Sequence, residues 1–597
     1  MKIIRFMDTS LRDGFQSVFG ARALTDDFIP AVEVAVDAGI HHLEAGGGAR
    51  FQSLFMYCGE SAFDMMDRFR AAAGGKASLQ TLARGINVVA LSAQPRDMID
   101  LHARMFKKHG MTHIRNFDAL NDVRNLTYSG MCIKNAGLHH QVAVTMMELP
   151  PGCTGAHDVD FYIKTLREIL DSGLPYDSIC FKDASGTSNP RKVYETVKAA
   201  RKLLGNDEVI WMHSHETAGV GLLQYQAAIE AGCDGVDLAR PPLSGGTCQP
   251  DILSMWHALK GTDYTLDIDV ARIMEANRVL EECLKDYFFP SEARQVSSEV
   301  ILSPMPGGAL TANTMMMRDT GTLDLYPKVI EAMSECVARG GFGTSVTPVS
   351  QFYFQQAYAN VTQGSWTKIT EGYGNMVLGY FGRTPVEPDA EIVRLAEQQL
   401  GKPVFKGDPL DVIEPGIPKA RAILEKEKLP VTDENIFIIG TLATSGGNKG
   451  LDFLEGKMTL NVRKVSEKHE AEVLMTELAH PDVESETGPA DYKVTVEGKV
   501  FHVTVEASSG EVKTVEPAPG EAVKPVARVE VRAKLQGIVS QMLISLGDCV
   551  EKGDTLMILE AMKMETPVVA PSAGTVASIK VEKAQIVKTG QLVATLS

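Results

Sequence analysis

Residues 178–204 read SICFKDASGTSNPRKVYETVKAARKLL. Ser178–Phe181 is a short apolar run, a polar loop follows, and Arg191–Leu204 has helical character. A strand, a loop and a helix in one short stretch make a unit of an α/β fold. The unit recurs through residues 1–260. Its other apolar runs are Ile3–Met7, His41–Glu44, Leu79–Ala83, His113–Phe117, Gln141–Met146, Val209–Met212 and Gly235–Ala239. Helical stretches such as Asp27–Ala38, Asp97–Lys108 and Asp158–Asp171 lie between them. Eight strands alternating with helices over about 250 residues predict an α/β fold of the (β/α)8 TIM-barrel type. A doubly wound open sheet is the alternative, which strand count does not exclude.

The rest of the 597 residues leaves room for smaller modules. Residues 261–390 read as mostly helical, and 391–480 as a small mixed region. Tyr492–Val496 and Val500–Val505 alternate on either side of Glu497-Gly498-Lys499, a hairpin signal. The stretch 515–528, VEPAPGEAVKPVAR, reads as a semi-rigid linker. The expected division is a barrel at 1–300, a helical region at 301–480, hairpin and linker at 481–528, and a terminal module at 529–597.

Composition narrows the function. Hydrophobic residues at 44% and charged residues at 23% are ordinary for a globular chain. A net charge of −17 disfavours nucleic acid and anionic membranes as partners. The nine cysteines are scattered and never form C-x-x-C, which fits a reducing cytoplasm rather than a disulfide framework. The opening MKIIRFMDTS reaches Asp8 before a signal-peptide apolar region can form. No apolar run approaches the ~18 residues of a membrane span. The expected location is therefore cytoplasmic.

The terminal module contains an internal repeat. Gly537, Val539, Val550, Gly553 and Leu559 recur 37 residues later as Gly574, Val576, Val587, Gly590 and Leu596. Two similar β-rich halves predict a small sandwich or flattened barrel with quasi-two-fold symmetry. Between them lies Glu560-Ala561-Met562-Lys563-Met564. This resembles the biotin-attachment motif of biotin carboxyl carrier domains, and the resemblance makes Lys563 the biotinyl-lysine of an all-β biotinyl domain. Related lipoyl domains lack the two methionines.

The barrel carries a second resemblance. Asp8-Thr9-Ser10-Leu11-Arg12-Asp13-Gly14-Phe15-Gln16-Ser17 is similar to a signature of biotin-dependent carboxyltransferases. The family includes the carboxyltransferase parts of pyruvate carboxylase and the oxaloacetate decarboxylase α chain. The likeness continues, in the family's order, at 82–85, 116–124, 181–186, 213–219 and 305–308. Nearly every motif follows an apolar run, and in a barrel those positions converge on one face. His213 and His215 are two apart at a strand end, so in extended backbone both point the same way and can share a metal.

The resemblance implies a divalent metal (Zn, Mn or Co) on Asp13, His213, His215 and a carbamylated Lys182. Carbamylation would turn the Lys182 cation into an oxygen donor; otherwise a salt bridge to Asp183 is expected. Arg84 matches the substrate-binding arginine, Gln16 a pocket residue, and Thr311 the hydroxyl residue that moves a proton. The family usually has Ala-His where this chain has Gly14-Phe15, and a tryptophan within the stretch that here reads Glu44-Ala45-Gly46-Gly47-Gly48. Both changes are expected to alter the pocket. Gly343–Pro348 and Gly379–Pro385 also resemble family segments and read as packing at the barrel mouth.

The implied activity is carboxyl transfer between carboxybiotin and a 2-oxo acid, with pyruvate and oxaloacetate first. No biotin carboxylase region is recognisable, so a separate biotin carboxylase subunit is expected, with a biotin-protein ligase and a homo-oligomer of at least two chains. The alternatives are an oxaloacetate decarboxylase α chain working with membrane subunits, a carboxylase of 2-oxoglutarate, and a non-catalytic biotin carrier scaffold.

Overall fold

A computed structural model of the protein describes residues 1–444, 447–458, 460–465, 490–496, 499–505, 529–533, 537–561, 564–583, 585–587 and 590–597. Eight parallel strands are present where the apolar runs predict them: β1 (Lys2–Asp8), β2 (His42–Glu44), β3 (Ser78–Ala83), β4 (His113–Phe117), β5 (His139–Thr145), β6 (Ser178–Asp183), β7 (Ile210–Ser214) and β8 (Gly235–Leu238). β1 pairs with β8 over Arg5–Asp8 and with β2 at Asp8↔Leu43. The sheet therefore closes on itself, which excludes the open sheet. The sequence reading missed a ninth strand, β9 (Tyr264–Leu266). It pairs with Lys2–Ile4, the half of β1 that β2 does not reach.

Helices such as Thr25–Asp37, Arg96–Lys108, Val159–Asp171 and Pro190–Leu204 cover the barrel. Their apolar faces and the outer strand faces form one core that includes Phe28, Phe69, Leu101, Ile169 and Val197. A second core, including Met305, Met333, Tyr353 and Tyr373, lies in the helices after the barrel and reaches Leu82, Phe117 and Trp211 on the strands. The region 391–480, read as mixed, is mainly helical where described, with helices 390–400, 416–426, 433–441 and 449–454. Phe437 joins the barrel's flank, its ring 5.5 Å from Phe51 and within aromatic contact of Phe106. Helix 433–441 therefore belongs to the barrel's own core.

At the strands' N-terminal ends His42, His113 and His139 stack, with ring centroids 5.2 and 4.3 Å apart. Burial pulls His42 down to about 4 and His113 to about 3. The fold thus holds these rings neutral, whereas the unfolded chain protonates them below about pH 6.5. Their stabilisation is complete above that pH and is lost as pH falls towards the folded-state values. At pH 5 the loss is about 2 kcal/mol per ring. Thermal unfolding between pH 7.5 and 5 should show the fall, and His113→Phe should flatten it. An unchanged slope in the variant would contradict this reading.

The terminal module has two four-stranded sheets. One runs, in order, 529–532, 592–596, 574–579, 549–550, and the other 564–569, 555–561, 537–542, 586–587. Each strand of one sheet has its 37-residue counterpart at the same place in the other. The sequence repeat is therefore the quasi-dyad. Val539, Val576, Leu559 and Leu596 are all buried in the shared core. Strands 555–561 and 564–569 pair through Ala561↔Met564. Lys563 lies outside the described residues. The hairpin at 490–496 and 499–505 is present, with Val496 opposite Lys499; the linker at 515–528 lies outside the described residues.

Candidate active site

The C-terminal ends of the barrel strands surround a cleft lined by Asp13, Arg84, Lys182 and His215 among others. Asp13 sits on a wide helical turn, Ser10–Gly14, immediately after β1. His213 is the last residue but one of β7, opposite Lys182 of β6 in the sheet register. His215 follows two residues later. Ligand atoms of Asp13, His213 and His215 all lie within 4.8 Å of one another, and all three residues are buried.

The imidazoles are oriented from behind. His213 Nδ1 donates to Asp237 Oδ2 at 2.6 Å, and His215 Nδ1 donates to the Thr247 carbonyl at 2.7 Å. Each ring therefore turns an unprotonated Nε2 towards Asp13, at 3.6 and 3.4 Å. Such outer hydrogen bonds orient metal-binding histidines. His213 Nε2 is buried without a hydrogen-bond partner. A lone pair of that kind is costly unless something fills it, and a cation bound by nitrogen and oxygen donors fits. Gln249 Nε2 bridges Asp13 Oδ2 (2.9 Å) and His215 Nε2 (3.0 Å). Burial opposes the Asp13 charge, but the Arg12 guanidinium 3.3 Å away holds its carboxyl well below the usual range.

Beneath the triad the barrel interior is polar. Arg115 on β4 pairs with Asp237 on β8 and donates to Gln141, which also accepts from Gln80 at 3.3 Å. Trp211 Nε1 donates to Asp237 as well. Burial opposes the Asp237 charge, but Arg115 and His213 keep it ionised. Asp237, Arg115, Thr247 and Gln249 were missed by the sequence reading. The signal for the first two was a charged residue inside an apolar run, which needs a buried partner.

Lys182 points into the cleft, 5.6 Å from the Phe117 ring centroid. Burial lowers its ammonium to about 8, with Arg115 and Arg12 pushing the same way against Asp13. The alternative, a salt bridge to Asp183, is not formed. Adjacent strand residues face opposite sides, and Asp183 instead accepts the backbone N–H groups of Ser185, Gly186 and Ser188.

Arg84 is buried and donates only to the carbonyls of Val89 and Ala90, at 2.8 and 3.1 Å. Among the described residues it has no anionic partner. Burial and nearby Arg12 lower it to about 9. Arg12, by contrast, is neutralised by Glu44 and lies 3.3 Å from Asp13. Gln16 Oε1 accepts from Arg12 (3.2 Å) and from Ala49 N (3.3 Å), leaving its amide nitrogen free of those bonds. Gly307 and Gly308 let the next helix come close. A Cβ on Gly307 would sit 1.7 Å from the Thr247 carbonyl, and one on Gly308 3.0 Å from Gln16.

Three placements differ from what the motifs suggest. Thr311 does not line the cleft; its buried hydroxyl donates to the Ser17 carbonyl and lies 3.5 Å from Thr247 Oγ1. Phe15 and Ala45 do not line it either. The Phe15 ring packs into the core against Phe28 and Arg50, and Ala45 is buried with its N–H bonded to Gln80 O. Finally, the loop Gly343–Pro348 packs at the mouth as expected, but it also supplies Val346 and Thr347 to the cleft wall.

Among the described residues no helix is long and apolar enough to cross a membrane. Residues 300–505 match the family model described as the conserved carboxylase domain, and 530–596 that of biotin-requiring enzymes. The B subunit of pyruvate carboxylase from Methanothermobacter thermautotrophicus is 30% identical, over 95% of this chain and 94% of that protein. The large subunit of 2-oxoglutarate carboxylase from Hydrogenobacter thermophilus is 26% identical, over 95% and 91%. A carboxyl transferase domain of Rhizobium etli pyruvate carboxylase, solved with pyruvate, has the same fold. Its TM-score is 0.70 at 23% identity, covering 85% of this chain and 88% of that one.

Proposed function

Because the chain belongs to the biotin-dependent carboxyltransferase family that includes the B subunit of pyruvate carboxylase, we propose that this cleft moves a carboxyl group between biotin and pyruvate. The observation that carries the choice of substrate is Arg84. Of the two arginines that line the cleft, it is the one with no anionic partner among the described residues, beside a triad suited to a metal. A 2-oxo acid with one carboxylate satisfies it bidentately. Leu82, Phe117 and Val346 leave apolar wall for a methyl group. With Lys182 carbamylated, a second carboxylate, as in 2-oxoglutarate, would have to turn to Arg12, which Glu44 already neutralises.

Asp13, His213 and His215 would hold the divalent metal, with Lys182 joining them once carbamylated. The lowered Lys182 ammonium supports that modification, since only the neutral amine attacks CO2. The metal would act as a Lewis acid on the 2-oxo group. Biotin, attached at Lys563, supplies the nitrogen that carries the carboxyl group. Arg84 binds the substrate carboxylate, and Gln16 directs its amide N–H into the cleft. Thr311 is the assigned proton carrier; to act, its hydroxyl must exchange the Ser17 carbonyl for the substrate. A hydroxyl can both donate and accept, so it relays a proton without holding charge.

The partner of this reading is a separate biotin-carboxylating subunit, and a biotin-protein ligase modifies Lys563. We also expect a homo-oligomer of at least two chains. Exchange of isotope between pyruvate and oxaloacetate tests the reaction, with 2-oxoglutarate and oxalosuccinate as the competing pair. Exchange confined to the second pair would overturn the choice of pyruvate.

A further inference from the structure

A second concentration of positive charge lies outside the cleft, on the barrel's flank. Arg50, on the helix Ala49–Ser53, is fully buried, and Arg22, in the loop after the helix Phe15–Phe19, is half-buried. Arg50 Nη1 donates to the Ala21 carbonyl at 2.8 Å, which brings its guanidinium against the residue before Arg22. Arg22 stacks 4.0 Å from the centroid of the Tyr57 ring, and the Sγ of the next residue, Cys58, lies 4.0 Å from the Ala23 carbonyl. The turns 20–23 and 57–59 therefore face each other, with both guanidinium groups and the Cys58 thiol at their junction.

Among the described residues neither charge has a counter-ion. Nε and Nη2 of Arg50, and Nε and Nη1 of Arg22, are buried without a hydrogen-bond partner, and neither guanidinium forms an ion pair. Phe15 and Phe28 approach Arg50 at 5.3 and 5.4 Å, and their π faces attract a cation without neutralising it. The Glu60 carboxylate is turned to Thr25, whose N–H it accepts at 3.0 Å. Burial holds the Cys58 thiol above its usual range, against the pull of Arg50 and Arg22, so it stays neutral. Water accepts N–H bonds but brings no charge, and a buried cation needs a compensating one. A strut from Arg50 to Ala21 uses a single N–H and leaves Arg22 unexplained.

We propose that Arg22 and Arg50 form a site for a small monovalent inorganic anion, chloride in the first place, held between the two turns by their buried N–H groups and the Cys58 thiol. A halide has no preferred bond direction and accepts several N–H groups at once. Arg50 has no exposed surface, so a halide fits its burial better than phosphate or an organic acid. The site is separate from the cleft and does not depend on the carboxyl-transfer reading. The helix Phe15–Phe19 also carries Gln16, which accepts from Ala49 N at 3.3 Å; the anion would brace the wall behind that pocket residue.

For the test, the full-length protein is melted at constant ionic strength while sodium gluconate is replaced by sodium chloride. Chloride is expected to raise the melting temperature saturably, by several degrees at about 100 times its dissociation constant. Arg50→Met and Arg22→Met, which keep much of the volume and remove the charge, should abolish the rise, and Arg84→Ala in the cleft should keep it. Crystals soaked in bromide should show an anomalous peak within hydrogen-bond reach of both guanidinium groups. No chloride-specific rise, or one that persists in Arg50→Met and Arg22→Met, would overturn the proposal. So would a bromide map without that peak, which decides the matter if the variants do not fold. A peak with no effect on melting would mark an adventitious ion only, and would overturn it equally.

Discussion

His213→Ala is expected to empty the metal site and to lower carboxyl exchange about 10³-fold, or ~4 kcal/mol of transition-state stabilisation. The substitution removes the unpartnered Nε2, which no neighbouring group replaces. It leaves the Arg115–Asp237 pair in place, so the buried Asp237 charge stays compensated and the barrel should fold. Metal analysis of the purified variant separates the two effects. Asp237→Asn should be milder, at about 10- to 100-fold in metal affinity, because it disturbs the imidazole without deleting it. A His213→Ala chain that keeps stoichiometric metal and normal exchange would remove the site from the account.

The second large effect belongs to Arg84. Arg84→Ala should lower kcat/KM for the 2-oxo acid about 10²- to 10³-fold, because a buried hydrogen-bonded charge pair costs about 2–5 kcal/mol or more when truncated. Thermal stability should not fall with it: the folded protein loses a desolvated cation that had no anion. Lysine should not rescue, since it restores the charge without the planar fork. Binding of pyruvate, read by dialysis, is the direct check. Unchanged affinity in Arg84→Ala would mean that another group holds the carboxylate.

Much of this architecture was legible before any coordinates. Strands such as Val142–Val144 and Ile179–Phe181 announce themselves because both faces of a parallel barrel sheet are covered. The repeat at 537–559 and 574–596 is visible because each half must bury the same valines and leucines. The pairing of His213 and His215 was legible from their spacing at a strand end, and the family resemblance added Asp13. What was hidden depends on chain separated widely in sequence. Thr347 reaches the cleft only because Thr344 of its loop bonds Ala119 and Thr145, at the ends of β4 and β5. The orientation of His213 depends on Asp237, in the next strand. Thr311 could be placed near the site by its motif, but the direction of its hydroxyl depends on Ser17. Phe15 looked like a pocket residue because its motif follows β1; the wide turn after that strand sends its ring into the core and Asp13 into the cleft.

The central claim is biotin-dependent carboxyl transfer on pyruvate by this chain. Its most direct measurement is isotope exchange between labelled pyruvate and oxaloacetate by the purified, avidin-positive protein without ATP, beside the Lys563→Ala protein. The account predicts exchange in the first and none in the second. Metal-loaded, biotinylated protein without pyruvate–oxaloacetate exchange would contradict it, as would equal exchange in the two proteins.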